Sequence, residues 1–353
     1  MNLSSLKTWA CAASLIAAGA LSAQAQGNHF NTPGNILISD QYNNRLIEVN
    51  PDNHRIVWSF GNGSSVAGPH SVVGVNDAQR IGPITLVAGT GVPAGAEPTC
   101  PNGCPDNRVM LVDPTGNILW QYGKAGVSGS GADQLNTPVQ NTWLPNTHIL
   151  ITDQANARVI EVTLTKKIVW QYGQTGVTGE GPDQLNNPNS AELLANGHIL
   201  IADETNNRVI EVDRSHNIVW SYGCSTCTQL SGAAFASRLP DGTTLITDSN
   251  NNRALDVDAS GNVVWTYYTN TRMGSISSPL PTRAILLKNG NVLISDQNNM
   301  QVIEIDPSQN IVFTQGTIAV AGNTFDLLNG PYDAKVIGDY TGLTPPFGGD
   351  HRR

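Results

Sequence analysis

The chain has 353 residues and a formal net charge of −9, with 28 acidic side chains against 19 Lys and Arg. Sparse, unclustered basic residues exclude nucleic acid as a partner, because its affinity rests on neutralising phosphates. Beyond the first 25 residues no apolar run approaches the roughly 20 residues of a membrane span, so no membrane insertion is expected.

Residues 1–25 read as a cleavable signal peptide. Lys7 gives a positive start, residues 9–21 an apolar stretch, and Ala23-Gln24-Ala25 a small-residue cleavage pattern. Cys11 lacks the surroundings of a lipoprotein box, so no lipid anchor is expected. The mature protein should be secreted or periplasmic, with residues 26–353 forming one domain.

A unit of about fifty residues then recurs six times. His-Ile-Leu-Ile-Thr-Asp-Gln-Ala-Asn-Ala-Arg-Val-Ile-Glu-Val (148–162) returns as His-Ile-Leu-Ile-Ala-Asp-Glu-Thr-Asn-Asn-Arg-Val-Ile-Glu-Val (198–212), at an offset of 50. A fixed period of this size decides architecture ahead of local propensity. The landmarks are an Asp ending one strand, an Arg opening the next, an acid, then an aromatic: Asp40, Arg45, Glu48 and Trp58 in the first copy, Asp248, Arg253, Asp256 and Trp265 in the fifth. The sixth keeps Asp296 and Glu304 but has Gln301 and Phe313 for the Arg and Trp. The second departs most, with Gly89 at the Asp position and a long insertion before Arg108 and Trp120.

Each copy contains short β-branched segments bounded by Gly, Asn, Asp and Pro, which predicts four strands, a to d from the axis outward. In the fourth copy these fall near residues 190–194, 198–202, 208–213 and 218–222. The expected fold is all-β: a six-bladed β-propeller of four-stranded antiparallel blades. The first copy lacks an a-strand. Residues 326–334 align with residues 183–191, so the C-terminal strand should complete blade 1 and close the ring; truncating it should open the ring.

Four cysteines outside the leader form close pairs, Cys100/Cys104 and Cys224/Cys227, which in an exported chain suggests two local disulfides on one rim. A four-thiolate zinc site would need blades 2 and 4 to meet over the axis, and redox work at Cys224-Ser225-Thr226-Cys227 is a further alternative. The recurrent Asp and Arg suit loop-fixing and inter-blade hydrogen bonds, and the recurrent Trp suits blade-to-blade packing.

Function should lie where the symmetry breaks. The first inner-strand positions present Tyr332, His70, Val139, Asn189, Ala234 and Thr282; the next present Asp333, Ser71, Gln140, Ser190, Phe235 and Arg283. His70 could act as general base, Arg283 as an oxyanion or carboxylate clamp, and Asp333 as an orienting acid or cation ligand. Tyr332, Gln140, Asn141, Asn189, Glu192 and Lys335 would line the ligand site. The same residues could equally do no more than solvate a wet channel. No cofactor is required, although a calcium or zinc ion in the channel is left open.

The run Gly-Glu-Gly-Pro-Asp-Gln-Leu-Asn-Asn-Pro (179–188), followed by Asp-Glu-Thr-Asn-Asn-Arg-Val (203–209), resembles the NHL repeat. That family includes protein- and RNA-binding platforms and enzymes such as the peptidyl-hydroxyglycine amidating lyases. The zinc-binding histidines of those lyases find no matching set here, since His148 and His198 fall at a–b hairpins and His54 and His216 in c–d turns. Pro69-His70-Ser71-Val72 is similar to periplasmic arylsulfotransferases, without their partner histidines. Ser215-His216-Asn217-Ile218-Val219-Trp220 resembles the repeat of quinoprotein propellers that bind pyrroloquinoline quinone. The expected function is a monomeric binding module that takes a protein, peptide or small-molecule ligand on its channel-mouth face. The alternative is a propeller enzyme, a lyase or hydrolase before a sulfotransferase or quinoprotein, with its site around His70, Asp333 and Arg283.

Overall fold

The computed structural model of the protein describes residues 29–347, so the expected signal peptide lies outside the described residues. Twenty-four strands form six four-stranded antiparallel sheets. Blade 1 contains β1 (Ile36–Asp40), β2 (Arg45–Val49) and β3 (Ile56–Phe60). Blade 2 contains β4 (Val75–Ile81), β5 (Ile84–Val92), β6 (Cys104–Val112) and β7 (Ile118–Gly123). Blade 3 contains β8 (Pro138–Trp143), β9 (Ile149–Asp153), β10 (Arg158–Val162) and β11 (Ile168–Tyr172). Blade 4 contains β12 (Pro188–Leu193), β13 (Ile199–Asp203), β14 (Arg208–Val212) and β15 (Ile218–Gly223). Blade 5 contains β16 (Ala233–Arg238), β17 (Thr244–Asp248), β18 (Arg253–Val257) and β19 (Val263–Tyr268). Blade 6 contains β20 (Pro281–Leu286), β21 (Val292–Asp296), β22 (Gln301–Ile305) and β23 (Ile311–Gln315), and β24 (Pro331–Val336) pairs with β1.

That last pairing completes blade 1 with the strand order β24-β1-β2-β3, as the alignment of residues 326–334 required. The second strand of each blade is buried along its whole length because neighbouring blades cover both its faces. Apolar runs such as Ile-Leu-Ile therefore replace strict alternation. The Trp side chains staple blades together: Trp58 Nε1 donates to the Pro114 carbonyl oxygen at 2.8 Å, and Trp120 Nε1 to that of Leu164 at 2.9 Å.

The repeated Asp, Asn and Arg form a clasp within each blade. Asp153 accepts from Arg158 Nε at 2.7 Å, from Asn156 Nδ2 at 2.8 Å and from the Asn136 N–H at 2.8 Å. Blade 6, lacking the Arg, borrows Arg272 from the loop before it, which pairs with Asp296 and donates to Gln301 Oε1 at 3.0 Å. Blade 2 moves the carboxylate instead. Asp106, on the third strand, pairs with Arg108 and accepts the Val73 N–H at 2.7 Å. A Cβ on Gly89 would sit 2.6 Å from that carboxyl carbon, so the missing Asp is the condition for the substitute.

The residue before each third-strand Arg, or before Gln301 in blade 6, is left-handed, at φ 51° for Asn44, 63° for Asn107, 52° for Ala157, 50° for Asn207, 56° for Asn252 and 58° for Met300. Where it is Asn, its side-chain oxygen accepts an N–H at the entry to the next blade: Gly74 at 2.8 Å, Thr137 at 2.8 Å, Gly232 at 2.8 Å and Leu280 at 3.3 Å. Ala157 has no such acceptor.

The inner strand of blade 2 starts at Val75, not at His70, because Val75 pairs with Gly89 as Pro188 pairs with Asp203. Blade 2 therefore presents Asn76 and Asp77 to the axis where His70 and Ser71 were expected.

Candidate functional site

The channel is open on the face that carries the turns between second and third strands. A cavity of about 570 Å³ lies there, lined by Gln41, Gln154, Glu204 and Gln297 from those turns, and by Asn76 and Tyr332 from inner strands. Its outer wall is the extended hairpin of β5 and β6, including Asn102 and Cys104. The Cys100–Cys104 disulfide, with Cα atoms 5.4 Å apart, pins that hairpin's tip, and Cys224–Cys227, at 5.0 Å, ties the loop after β15. Both pairs are thus bonded as expected, and the four-thiolate site is ruled out.

The mouth is a web of neutral amides. Gln297 Nε2 donates to Gln41 Oε1 at 2.6 Å, and Gln41 Nε2 to Asn76 Oδ1 at 2.7 Å. Across the opening, Asn189 Nδ2 donates to Glu204 Oε2 at 2.9 Å and to the Tyr332 hydroxyl oxygen at 2.8 Å, and Gln154 Nε2 reaches the same Glu204 oxygen at 3.3 Å. Burial holds the Glu204 carboxyl above its ordinary range, against the pull of the Asn189 hydrogen bond. Burial, and then the charge of Glu204, push the Tyr332 hydroxyl up. Tyr42, also in the wall, is raised by burial and by nearby Glu97. Glu204 is the one acidic side chain in the lining of the mouth, and no Lys, Arg or His lines it.

Beneath the mouth lies a self-neutralised ion network. Lys335 Nζ donates to Asp77 Oδ1 at 2.6 Å and to Asp333 Oδ2 at 2.6 Å. Arg283 lies 3.1 Å from each carboxylate, with its guanidinium 4.3 Å above the Phe235 ring. Asp77 also accepts from Asn141 Nδ2 at 2.7 Å. Burial drives Asp77 up; Lys335 pulls it down, Asp333 pushes it up and Arg283 pulls it down, leaving it above the ordinary carboxylate range. Deeper still, Glu192 accepts from Gln140 Nε2 at 2.8 Å and from the Thr344 N–H at 2.9 Å and hydroxyl at 2.5 Å. Burial raises its carboxyl as well.

Thr344 belongs to the segment after β24, which crosses the opposite face. Its carbonyl oxygen accepts from Gln79 Nε2 at 3.1 Å, and Tyr340 donates to the Arg80 carbonyl oxygen at 3.0 Å. Leu343 packs with Ile285 and Leu287. The channel is therefore blind at that end.

Of the residues expected to form the site, Tyr332 lines the mouth and Asn189 supports it from behind. Arg283, Asp333, Lys335 and Asn141 meet in the buried ion network, and Gln140 and Glu192 lie below it. His70 joins none of them. It is exposed in the loop before β4, with Nδ1 3.3 Å from the Gly116 carbonyl oxygen, and makes no hydrogen bond or ion pair with Asp333 or Arg283. A base needs hydrogen-bond reach of its proton donor, so the three residues do not compose one catalytic unit. Asp77, Glu204, Gln41, Gln154 and Gln297 were not anticipated. For Glu204 a signal existed: it replaces Gln154 of the near-identical neighbouring copy.

Among the described residues no group of three or more His, Cys, Asp or Glu could hold a metal ion. Asp77 and Asp333, both on inner strands, are already committed to Lys335 and Arg283. No described helix is long and apolar enough to cross a membrane.

A six-bladed propeller with one blind end and one amide-lined mouth is thus defined. Residues 105–324, more than half of the chain, match the family model described as outer membrane protein assembly factor BamB, and the chain belongs to that family. No curated protein matches the chain. Among solved structures, a protein of unknown function from Bacteroides caccae is similar with a TM-score of 0.58 at 16% identity, over 80% of this chain and 93% of that one. Virginiamycin B lyase from Staphylococcus aureus gives 0.50 at 14% identity, over 83% and 86%. A chain of the nidogen/laminin complex gives 0.52 at 9% identity, over 79% and 92%. These likenesses show the fold alone. The mouth does not suit an anionic quinone, which would find no cation in its wall.

Proposed function

We propose that the protein is an exported, monomeric binding module that receives a segment of a protein or peptide partner in the channel mouth. The observation that carries this reading is the asymmetry of the channel. One end is an open cavity of about 570 Å³ walled by hydrogen-bonding amides, and the other is filled by a neutralised ion network and the crossing segment. Amide side chains match the donors and acceptors of peptide backbone, and cavities of roughly 300–1,000 Å³ suit ligand-sized groups. Membership of a family described as an outer membrane protein assembly factor favours a protein partner and a periplasmic location. Two disulfides fit an oxidising compartment. The NHL-type reading of the repeat is retained within this proposal, supported by the clasp of Asp203, Asn206 and Arg208.

The test is capture of partners by the immobilised protein from an envelope extract, with Asn102→Trp obstructing the mouth and Asn289→Trp marking the opposite face. Loss of a captured protein with Asn102→Trp but not with Asn289→Trp supports the reading. Capture that is indifferent to Asn102→Trp, or lost only with Asn289→Trp, refutes it.

A further inference from the structure

Glu204 stands apart from the other acids near the axis. Asp77 and Asp333 each contact Arg283 and Lys335, and the clasp carboxylates of all six blades contact an Arg. Glu192 has no cation but receives three hydrogen bonds. Glu204 makes no ion pair with any described residue. Its Oε2 takes the bonds from Asn189 and Gln154, while its Oε1 takes none. The carboxylate lines the cavity, so this free oxygen belongs to the one charged side chain in a wall of neutral groups.

The sequence isolates the same position. The turn residue in this place is Gln41, Thr90, Gln154, Ser249 or Gln297 in the other five blades, all uncharged. Blades 3 and 4 are near-copies, yet Gln154 becomes Glu204. A clasp or a packing role would be served by Gln, as it is next door. The acid is therefore an addition to the scaffold at its open face.

Asn189 fixes Glu204 from behind the cavity wall. It is 2% exposed, its Nδ2 is engaged by Glu204 and Tyr332, and its Oδ1 has no partner. Unmet acceptors of this kind are costly when buried. That oxygen is closed off from the cavity, so the group left open to the mouth is the Glu204 carboxylate, which has no cation beside it.

On the reading that the mouth is a binding site, we propose that its ligand is a peptide segment bearing a primary ammonium group, which docks on Glu204 while the surrounding amides hold the peptide backbone. The ammonium supplies the missing charge, and its three N–H donors suit a carboxylate oxygen and nearby amide oxygens. An anionic segment would meet Glu204, with Glu97 nearby, and no compensating cation.

The experiment is titration calorimetry of the intact protein with Ac-Gly-Lys-Gly-NH2 and with the same peptide acetylated at the lysine Nζ. The expected result is at least about tenfold tighter binding of the ammonium form. Glu204→Gln, which installs the residue found in blade 3, should bring the two peptides to equal affinity and leave the acetylated one unchanged. Equal affinity for wild type, or a preference that survives Glu204→Gln, overturns the inference. Failure of both peptides to bind at millimolar concentration overturns it too. In each of these cases the Asn102→Trp capture test still decides independently whether the mouth is a binding site. The wild-type comparison stands even if the variant folds poorly.

Discussion

Replacing Ala157 by Asn should stabilise the protein. Ala157 is left-handed at φ 52° and buried, and it occupies the place where Asn207 in the next blade hydrogen-bonds Gly232 at 2.8 Å. Its surroundings match: Gly173 and Leu185 flank Ala157 as Gly223 and Leu230 flank Asn207. The N–H awaiting the new oxygen is that of Asn187, which corresponds to Thr137, already bonded to Asn107 at 2.8 Å. A left-handed conformation costs an ordinary L residue about 1–2 kcal/mol and Asn less, and a hydrogen bond adds about 0.5–1.5 kcal/mol net. Together these give about 1–2 kcal/mol, or roughly 2–4 °C in Tm for a domain of this size. Guanidinium midpoints and calorimetric scans at one fixed rate would measure it. Ala157→Gly is the control, since it removes the backbone strain without adding an acceptor, and gains flexibility in the unfolded chain. If Ala157→Asn is no more stable than Ala157→Gly, the inter-blade hydrogen bond contributes nothing and the reasoning fails.

Lys335→Met leaves Asp77 and Asp333 sharing Arg283 alone; a loss of about 3–5 kcal/mol is expected on chemical denaturation, with no change in secondary structure at low denaturant. Gly89→Asp should cost about 2–4 kcal/mol by forcing two carboxylates into one clasp, and adding Asp106→Ala should recover much of it by moving the acid to the place it holds in the other blades. Burial raises Glu161, but hydrogen bonds from His148, Arg214 and Asn146 outweigh it and hold the carboxyl below its ordinary range. Its folded pKa is depressed, so its stabilisation is full above the unfolded value and fades as pH falls through the folded one. Glu161→Gln should accordingly lower the denaturation midpoint at pH 7, with the difference from wild type shrinking as the pH is lowered below about 4.

The fold was legible because it is written six times. Any one stretch of Ile-Leu-Ile-Ala-Asp is ambiguous, but its return at intervals of about fifty residues fixes the strands and the closure together, and β24 pairs with β1 as the alignment of residues 326–334 required. The site was less legible where the repeat breaks. Pro69-His70-Ser71 imitates the Pro that opens other inner strands, and the exchange of Asp from the Gly89 position to Asp106 removed the landmark that would have exposed the error. Arg283, Asp333 and Lys335 were recognised as axial, but sequence cannot say that Asp77 completes their neutralisation. Nor does any repeat foreshadow Thr344, which caps Glu192 from a segment with no counterpart elsewhere in the chain.

The strand that completes blade 1 has a consequence for biogenesis. β1 is among the first strands to leave the ribosome or a translocation pore, and its partner β24 is the last. Between the two events β1 offers an unsatisfied edge bearing Ile36 and Ile38, side chains that end up sealed in the core. Such an edge recruits any extended chain nearby, and long-range pairing is slow to form. Blades 2 to 6 can condense in order as they emerge, but the molecule becomes a torus in a single final event. The early edge therefore stays open for the whole interval between the two strands, and only the arrival of β24 closes it.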